Sequence, residues 1–272
     1  MEPNKMSGNN MIKAERGGLV FFQFACLSGF PELSHRVFSR KGGLSRFPFD
    51  ELNVAFSVGD NQEDVRGNRR LVEKSVDCRY TVYANQVHGT DILIYSGKGP
   101  AAAAQAGSSR SGDALITDIP GLVLAVQVAD CQAILLYDPV RKVVANIHSG
   151  WRGSVDDIAG KTVAVMESRF GCRGKDMVAA IAPSLGPCCS EFINYRSEIP
   201  EKFWKYKDDG NCFDFWKISC DQLGNAGLRP DNIQAGGMCT RCSTGYFYSY
   251  RGAGGNTGRF ATVIGLRPPA GK

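Results

Sequence analysis

Residues 129–153, ADCQAILLYDPVRKVVANIHSGWRG, constrain the fold more than any other stretch. Two runs rich in branched apolar residues, 133–137 and 143–147, each have the length of a buried strand. Asp138-Pro139 and Arg141-Lys142 lie between them and read as a tight turn, so the segment is expected to form a β-hairpin. Cys131 then stands just before the first strand and His148 just after the second, at the same open end. A soft thiolate beside an imidazole suits either a metal or a nucleophile–base pair. Gly150-Trp151-Arg152-Gly153 leads into a helix.

Around this hairpin the chain alternates clusters of strands with a few helices. Residues 19–27 read as a first strand and 37–43 follow. A helix over 62–76 keeps Val65, Val72 and Val76 on one face, with Glu63 and Asp64 in its first turn, where the helix dipole favours negative charge. Strands are predicted over 81–87, 91–95, 113–117 and 122–128, then the hairpin. A helix over 154–169 carries the stripe Val155, Ile158, Ala159, Thr162, Met166, with Ser154 and Asp157 resembling a capping box. Residues 177–181 form a strand, 219–226 a short helix, and 233–235, 246–250 and 260–265 the last strands. Residues 98–112 (KGPAAAAQAGSSRSG) are low in complexity and read as a surface insertion. The pattern is neither β-α-β repetition nor all-β, which argues for an α+β layered sandwich with mixed sheets. No internal linker or solenoid-length repeat breaks it. The expected organisation is a flexible tail over 1–16 and one domain over 17–272.

A chain of 272 residues can bury a large core, roughly 75% of its unfolded surface. No apolar run approaches the ~20 residues of a membrane span, and the polar N-terminus has no apolar signal region. The net charge of +5 is not gathered into Lys/Arg blocks interleaved with aromatics, so neither nucleic acid nor membrane is an expected partner. Ten cysteines without a secretory signal point to a cytoplasmic protein with reduced thiols, mostly buried as small hydrophobes. Cys239-Thr-Arg-Cys242 has metal-knuckle or redox spacing, but no second C-x-x-C accompanies it, so the pair reads as structural. Cys188 and Cys189 are adjacent, and a bridge between neighbours is strained.

The chain has three histidines, His35, His88 and His148. His88 and His148 close predicted strands and precede Gly or Ser-Gly. If the strand ending at His88 neighbours the hairpin, then His88, Cys131 and His148 converge. Such a donor set leaves a tetrahedral zinc one open position, the catalytic arrangement. Asp130 either orients a ligand histidine or caps a turn. Arg152, Arg251 and Arg259 flank Gly-rich segments, where the backbone can approach an anion and Arg can bind phosphate oxygens.

Four ordered motifs then carry a resemblance: Asn85-Gln86-Val87-His88-Gly89, Gly112-Asp113-Ala114-Leu115-Ile116-Thr117, Ala129-Asp130-Cys131 and Ile147-His148-Ser149-Gly150-Trp151-Arg152-Gly153. Together with 183–189 and FYSYRGAGGNTGR at 247–259, they resemble the YfiH-type laccase-domain family, also called polyphenol oxidase, from about Ser39 onward. The resemblance implies an α/β/β/α fold and zinc held by His88, Cys131 and His148. It also implies phosphorolysis of purine nucleosides (adenosine, inosine, guanosine and S-methyl-5'-thioadenosine), with adenosine deaminase activity beside it. Two positions depart from the family pattern: Ser57 where many members have His, which bears on substrate or metal preference, and Ala133 where many have Pro, read as a structural change.

Three functional readings follow. The first is a zinc-dependent nucleoside phosphorylase and deaminase, with Cys131, His148 and His88 catalytic and Arg251, Arg259 and Arg152 toward phosphate. The second is a metal-free cysteine hydrolase with Cys131 as nucleophile and His148 as base, for which the resemblance implies an amidase acting on peptidoglycan precursors. The third is a metal or ligand binder without turnover. Multicopper oxidase chemistry needs more imidazoles than three histidines supply, although Cu2+ could occupy the zinc site adventitiously.

Overall fold

The computed structural model describes residues 10–76, 80–97, 99 and 110–269, and two mixed six-stranded sheets organise them. The first sheet runs β1 (Met11–Arg16), β2 (Leu19–Phe24), β3 (Leu33–Phe38), β12 (Phe260–Leu266), β7 (Leu122–Val128), β4 (Tyr80–Tyr83). The second runs β11 (Ile233–Ala235), β10 (Val178–Ile181), β8 (Gln132–Asp138), β9 (Val143–Ser149), β6 (Ala114–Thr117), β5 (Ile92–Tyr95). The pairs β4/β7, β5/β6 and β10/β11 are parallel and the others antiparallel. The expected α+β architecture is therefore present.

The central strands are apolar on both faces because both faces are covered. On β8, Leu135 and Tyr137 face the other sheet, where they meet Leu124 and Val126 of β7 and Phe260 and Ile264 of β12. The alternate residues Ile134 and Leu136 pack with Ile158, Val163 and Met166 of the helix Ile158–Phe170. On β7 the alternate residues Val123 and Ala125 pack with Val72 and Val76, at the end of the helix Gln62–Ser75. The period of two thus feeds three apolar layers, and the order is helix, sheet, sheet, helix. Ala133 is fully buried between the sheets.

Several boundaries differ from the sequence expectations. Residues 11–16 are not tail: they form β1, joined to β2 by a two-residue turn at Gly17-Gly18 with φ of 61° and 79°. Positive φ at both positions is the hairpin geometry that Gly-Gly supplies without Cβ strain. The first strand stops at Phe24, where a helical turn Ala25–Ser28 begins, and β3 starts at Leu33 rather than residue 37. The helix expected over 154–169 is two helices, Trp151–Val155 and Ile158–Phe170. Asp157, in the left-handed region, breaks them and caps the second by accepting from Gly160 N, so Ser154 lies inside the first helix. The helix expected over 219–226 begins four residues earlier at Phe215, capped by Asp214. Residues 246–250 are turn and irregular backbone, not strand. The insertion expected over 98–112 lies almost wholly outside the described residues. Among the described residues no helix is long and apolar enough to cross a membrane.

A buried polar bridge joins the two sheets. Asn146 of β9 is fully buried, and its Nδ2 donates to Leu124 O of β7 at 2.9 Å and Thr262 O of β12 at 2.8 Å. Leaving these carbonyls without the donor in a dry layer should destabilise Asn146→Ala by about 3 kcal/mol. Urea unfolding should show a lower midpoint with an unchanged slope; an unchanged midpoint would mean that the bridge contributes no net stability.

Candidate metal centre

The hairpin delivers two of the three expected ligands. Strands β8 and β9 pair with Gln132 opposite Ser149 and Ala133 opposite His148, so Cys131 and His148 meet at the open end. His88 arrives by a different route from the one expected. Its preceding strand, β4, lies in the other sheet beside β7 and ends at Tyr83. His88 sits five residues later on the connection that crosses to β5, in the left-handed region at φ 60°.

That connection is held by its own motif. The Gln86 amide pairs with the β7 backbone, donating to Gln127 O and accepting from Gln127 N, both at 2.8 Å. Asn85 bridges to Ser111. The carboxylate of fully buried Asp113 then accepts from the amides of Val87 (3.2 Å), His88 (2.9 Å) and Gly89 (2.8 Å). Asp113 Oδ1 also lies 2.7 Å from His148 Nδ1, and Asp113 O accepts from His148 N. One carboxylate therefore positions both imidazoles. Asp113 was within a recognised motif but had no assigned role, because its three amide partners lie 24 to 26 residues away. Asp130 does not perform this task. Its oxygens accept from Thr240 Oγ1 and Arg251 N, each at 2.6 Å, so it caps loops instead.

The donor atoms of His88, Cys131 and His148 all lie within 4.8 Å of one another. Cys131 Sγ is 3.9 Å from His88 Nε2, and the two imidazole rings meet edge to face at 4.8 Å between centroids. Gly150 lies against them: a Cβ there would stand 3.0 Å from the His88 ring and 3.3 Å from Cys131 Sγ. His35, the third histidine, is elsewhere, buried in β3 with Nε2 accepting from Phe24 N. Burial lowers its pKa to about 4, so it is a neutral core residue.

Burial opposes charge at Cys131, yet the hydrogen bond and charge of His148, then those of His88, bring its thiol down to about 6. Burial likewise opposes a charged His148, but Asp113 and Cys131 raise it to about 9. Both shifts favour the thiolate and the imidazolium, with Asp113 behind the ring. The same donors fit zinc: two imidazoles and a thiolate converge, and Asp113 accepts the hydrogen bond of Nδ1–H and so leaves the other nitrogen of His148 to ligate.

The trio opens on a cleft of about 560 Å³. Arg152, Arg251 and Arg259 all line it, as does Ser57. Arg259 Nη1 is anchored on Thr257 O and Gly258 O, and Arg251 Nη1 on Glu191 O. Trp151, Phe192 and Phe215 form an aromatic wall, with Phe192 5.5 Å from Phe215 and 6.1 Å from Trp151 between centroids. That wall was not anticipated, because Phe192 and Phe215 lie in segments without a motif.

The chain is similar to proteins of one family over most of its length. A family model described as multi-copper polyphenol oxidoreductase laccase matches residues 34–267. The chain is 33% identical to purine nucleoside phosphorylase YlmD of Geobacillus stearothermophilus, over 84% of this chain and 88% of that one. It is 30% identical to a purine nucleoside phosphorylase of Bacteroides thetaiotaomicron, over 89% and 94%. The crystal structure of YlmD from Geobacillus stearothermophilus superposes with a TM-score of 0.81 at 30% identity, covering 95% of this chain and all (100%) of that one.

Two outcomes follow from the geometry. Asp113→Asn should weaken zinc binding 10–100-fold, read by competition with a chelator, because outer-shell carboxylates typically contribute that much; unchanged affinity would contradict the role of Asp113. In metal-free protein, alkylation of the Cys131 peptide should fall away as pH drops through about 6. In His148→Ala that midpoint should move upward, since the group that stabilises the thiolate is gone.

Proposed function

This chain belongs to the multi-copper polyphenol oxidoreductase laccase family, and from that membership we propose that it is a zinc-dependent purine nucleoside phosphorylase that also deaminates adenosine. Adenosine, inosine, guanosine and S-methyl-5'-thioadenosine are its substrates, with inorganic phosphate as co-substrate. The observation that carries the reading is the joining of a two-imidazole, one-thiolate centre to a cleft lined by three arginines and an aromatic wall.

His88, Cys131 and His148 would hold the zinc, which when bound supplies Lewis acidity to the oxygen of phosphate or water. The side chains around it divide the remaining work. Arg251, Arg259 and Arg152 supply positive charge for a phosphate dianion, and the carbonyl anchors of the first two limit the freedom that binding would otherwise have to remove. Trp151, Phe192 and Phe215 offer faces and edges for a purine ring. Asp113 keeps the Nδ1 proton of His148 in place and His88 in its left-handed turn. Asp130 fixes the backbone of Arg251 through its amide. Copper at the same donors would be adventitious rather than a route to oxidase chemistry.

A second reading has its own observation: the Cys131 thiolate, the His148 imidazolium and Asp113 behind it form a nucleophile–base–orienter arrangement. A metal-free cysteine amidase acting on peptidoglycan precursors would use it. Incubation with adenosine, with and without phosphate, separates the two. The proposal expects adenine only when phosphate is present, inosine in either case, and neither from Cys131→Ala. No product above the Cys131→Ala background would remove nucleosides as substrates.

Within the cleft, Arg259→Ala should raise the phosphate KM at least tenfold, on the order of the 1.5–3 kcal/mol of a charge-assisted hydrogen bond. An unchanged phosphate KM in steady-state phosphorolysis would place the phosphate elsewhere.

A further inference from the structure

A second group of donors lies on the loops that follow β10 and β11. The pair Cys239 and Cys242, which lacked a partner pair in the sequence, meets the adjacent Cys188 and Cys189, and all four sulfurs lie within 4.8 Å of one another. We infer that Cys188, Cys189, Cys239 and Cys242 form a second, structural metal site, a closed tetrathiolate for a soft divalent cation such as zinc.

The distances carry the assignment. Cys242 Sγ lies 3.7 Å from Cys188 Sγ and 3.6 Å from Cys189 Sγ. A tetrahedral zinc with Zn–S bonds of about 2.3 Å sets its sulfurs about 3.8 Å apart, whereas a disulfide needs about 2.05 Å. The local backbone is built for convergence. Strands β10 and β11 run parallel, and the loops leaving them carry one pair each. Ser184 and Cys239 form a bridge between these loops, and Thr240 N donates to Ser184 O. A Cβ on Gly186 would stand 2.8 Å from the Trp216 ring and 3.0 Å from Cys239 Cβ, so only glycine lets the loops approach this closely. The amides of Gly186 and Cys242 donate to the Cys239 sulfur, the kind of support a ligating thiolate receives from its surroundings. Cys239 is buried while Cys188 and Cys242 reach the surface, which gives an ion a path of entry.

Four protein sulfurs leave no open position, so this site holds structure rather than reacting with substrate. What it holds is the cleft. Leu185 N donates to Asp130 O and Thr240 Oγ1 to the Asp130 carboxylate, which in turn holds the Arg251 amide. The two cysteine-bearing loops are thus tied to the residue next to Cys131 and to the backbone of Arg251.

The test is metal analysis on the full chain, purified in zinc-supplemented medium, with Cys131→Ala removing the other centre. Two zinc equivalents are expected in the parent chain and one in Cys131→Ala. X-ray absorption at the zinc edge of Cys131→Ala should show four sulfur scatterers, and cobalt substitution should give the intense visible bands of a tetrahedral thiolate site. Cys188→Ser/Cys242→Ser, at exposed positions, should lose one equivalent from the parent chain and keep the other. Cys131→Ala free of zinc, zinc with nitrogen or oxygen scatterers in place of sulfur, or a disulfide within the four seen by intact mass, would overturn the assignment.

Discussion

The geometry of the centre depends on one buried carboxylate. Asp113 stands at the start of β6, and β6 lies beside β9, so the strand order β8, β9, β6 places Cys131, His148 and Asp113 side by side at one end of a sheet. From there Asp113 reaches His148 through Nδ1 and gathers three successive amides of the connection that carries His88. An ionised carboxylate in a dry site needs several donors, and here the donors are the parts that have to be positioned. Those hydrogen bonds, with that of His148, outweigh burial and hold the Asp113 carboxyl below its usual range. The requirement of Asp113 for partners and the requirement of the centre for order are met by the same bonds.

The sandwich supplies the rigidity behind this arrangement. Strands β7, β8, β9 and β12 are apolar on alternate faces toward two layers at once, so a shift in register would move every side chain into the wrong layer. The sheets present their ends, and the loops at those ends carry the chemistry. His88 comes from a connection between sheets, Arg251 and Arg259 from the turns before β12, and Trp151 and Arg152 from the short helix after β9. Specific bonds hold the connection and the turns: Gln86 on Gln127, Asp130 on Arg251 and Thr240, Arg259 on Thr257 and Gly258.

The residues read best from sequence were those whose partners are near in the chain. The hairpin was legible because two strands and their turn fit within 25 residues, and it placed Cys131 opposite His148. His88 was identified by its motif, but its path was not, since β4 pairs with β7 in the other sheet and nothing local signals that crossing. The same holds for Asp113, whose role exists only once the loop at residues 87–89 has folded over it. The break at Asp157 was hidden by an apolar stripe that continues across it, and β1 by a polar composition that suits an edge strand as well as a tail. Gly17-Gly18 was the signal for that hairpin. The two cysteine pairs were each visible, but only the parallel pairing of β10 and β11 brings them together.

In the proposed function the centre and the cleft are two halves of one device, with donors for a cation on one side and cationic and aromatic groups for a nucleoside and phosphate on the other. The most direct measurement is the rate of adenine formation from adenosine and phosphate as zinc is returned to stripped protein, for the parent chain and for His88→Ala. The account predicts no turnover in stripped parent protein, a rate that rises with zinc and then levels, and a His88→Ala chain that stays at background at every loading. Full turnover in stripped protein, or in His88→Ala, would contradict it.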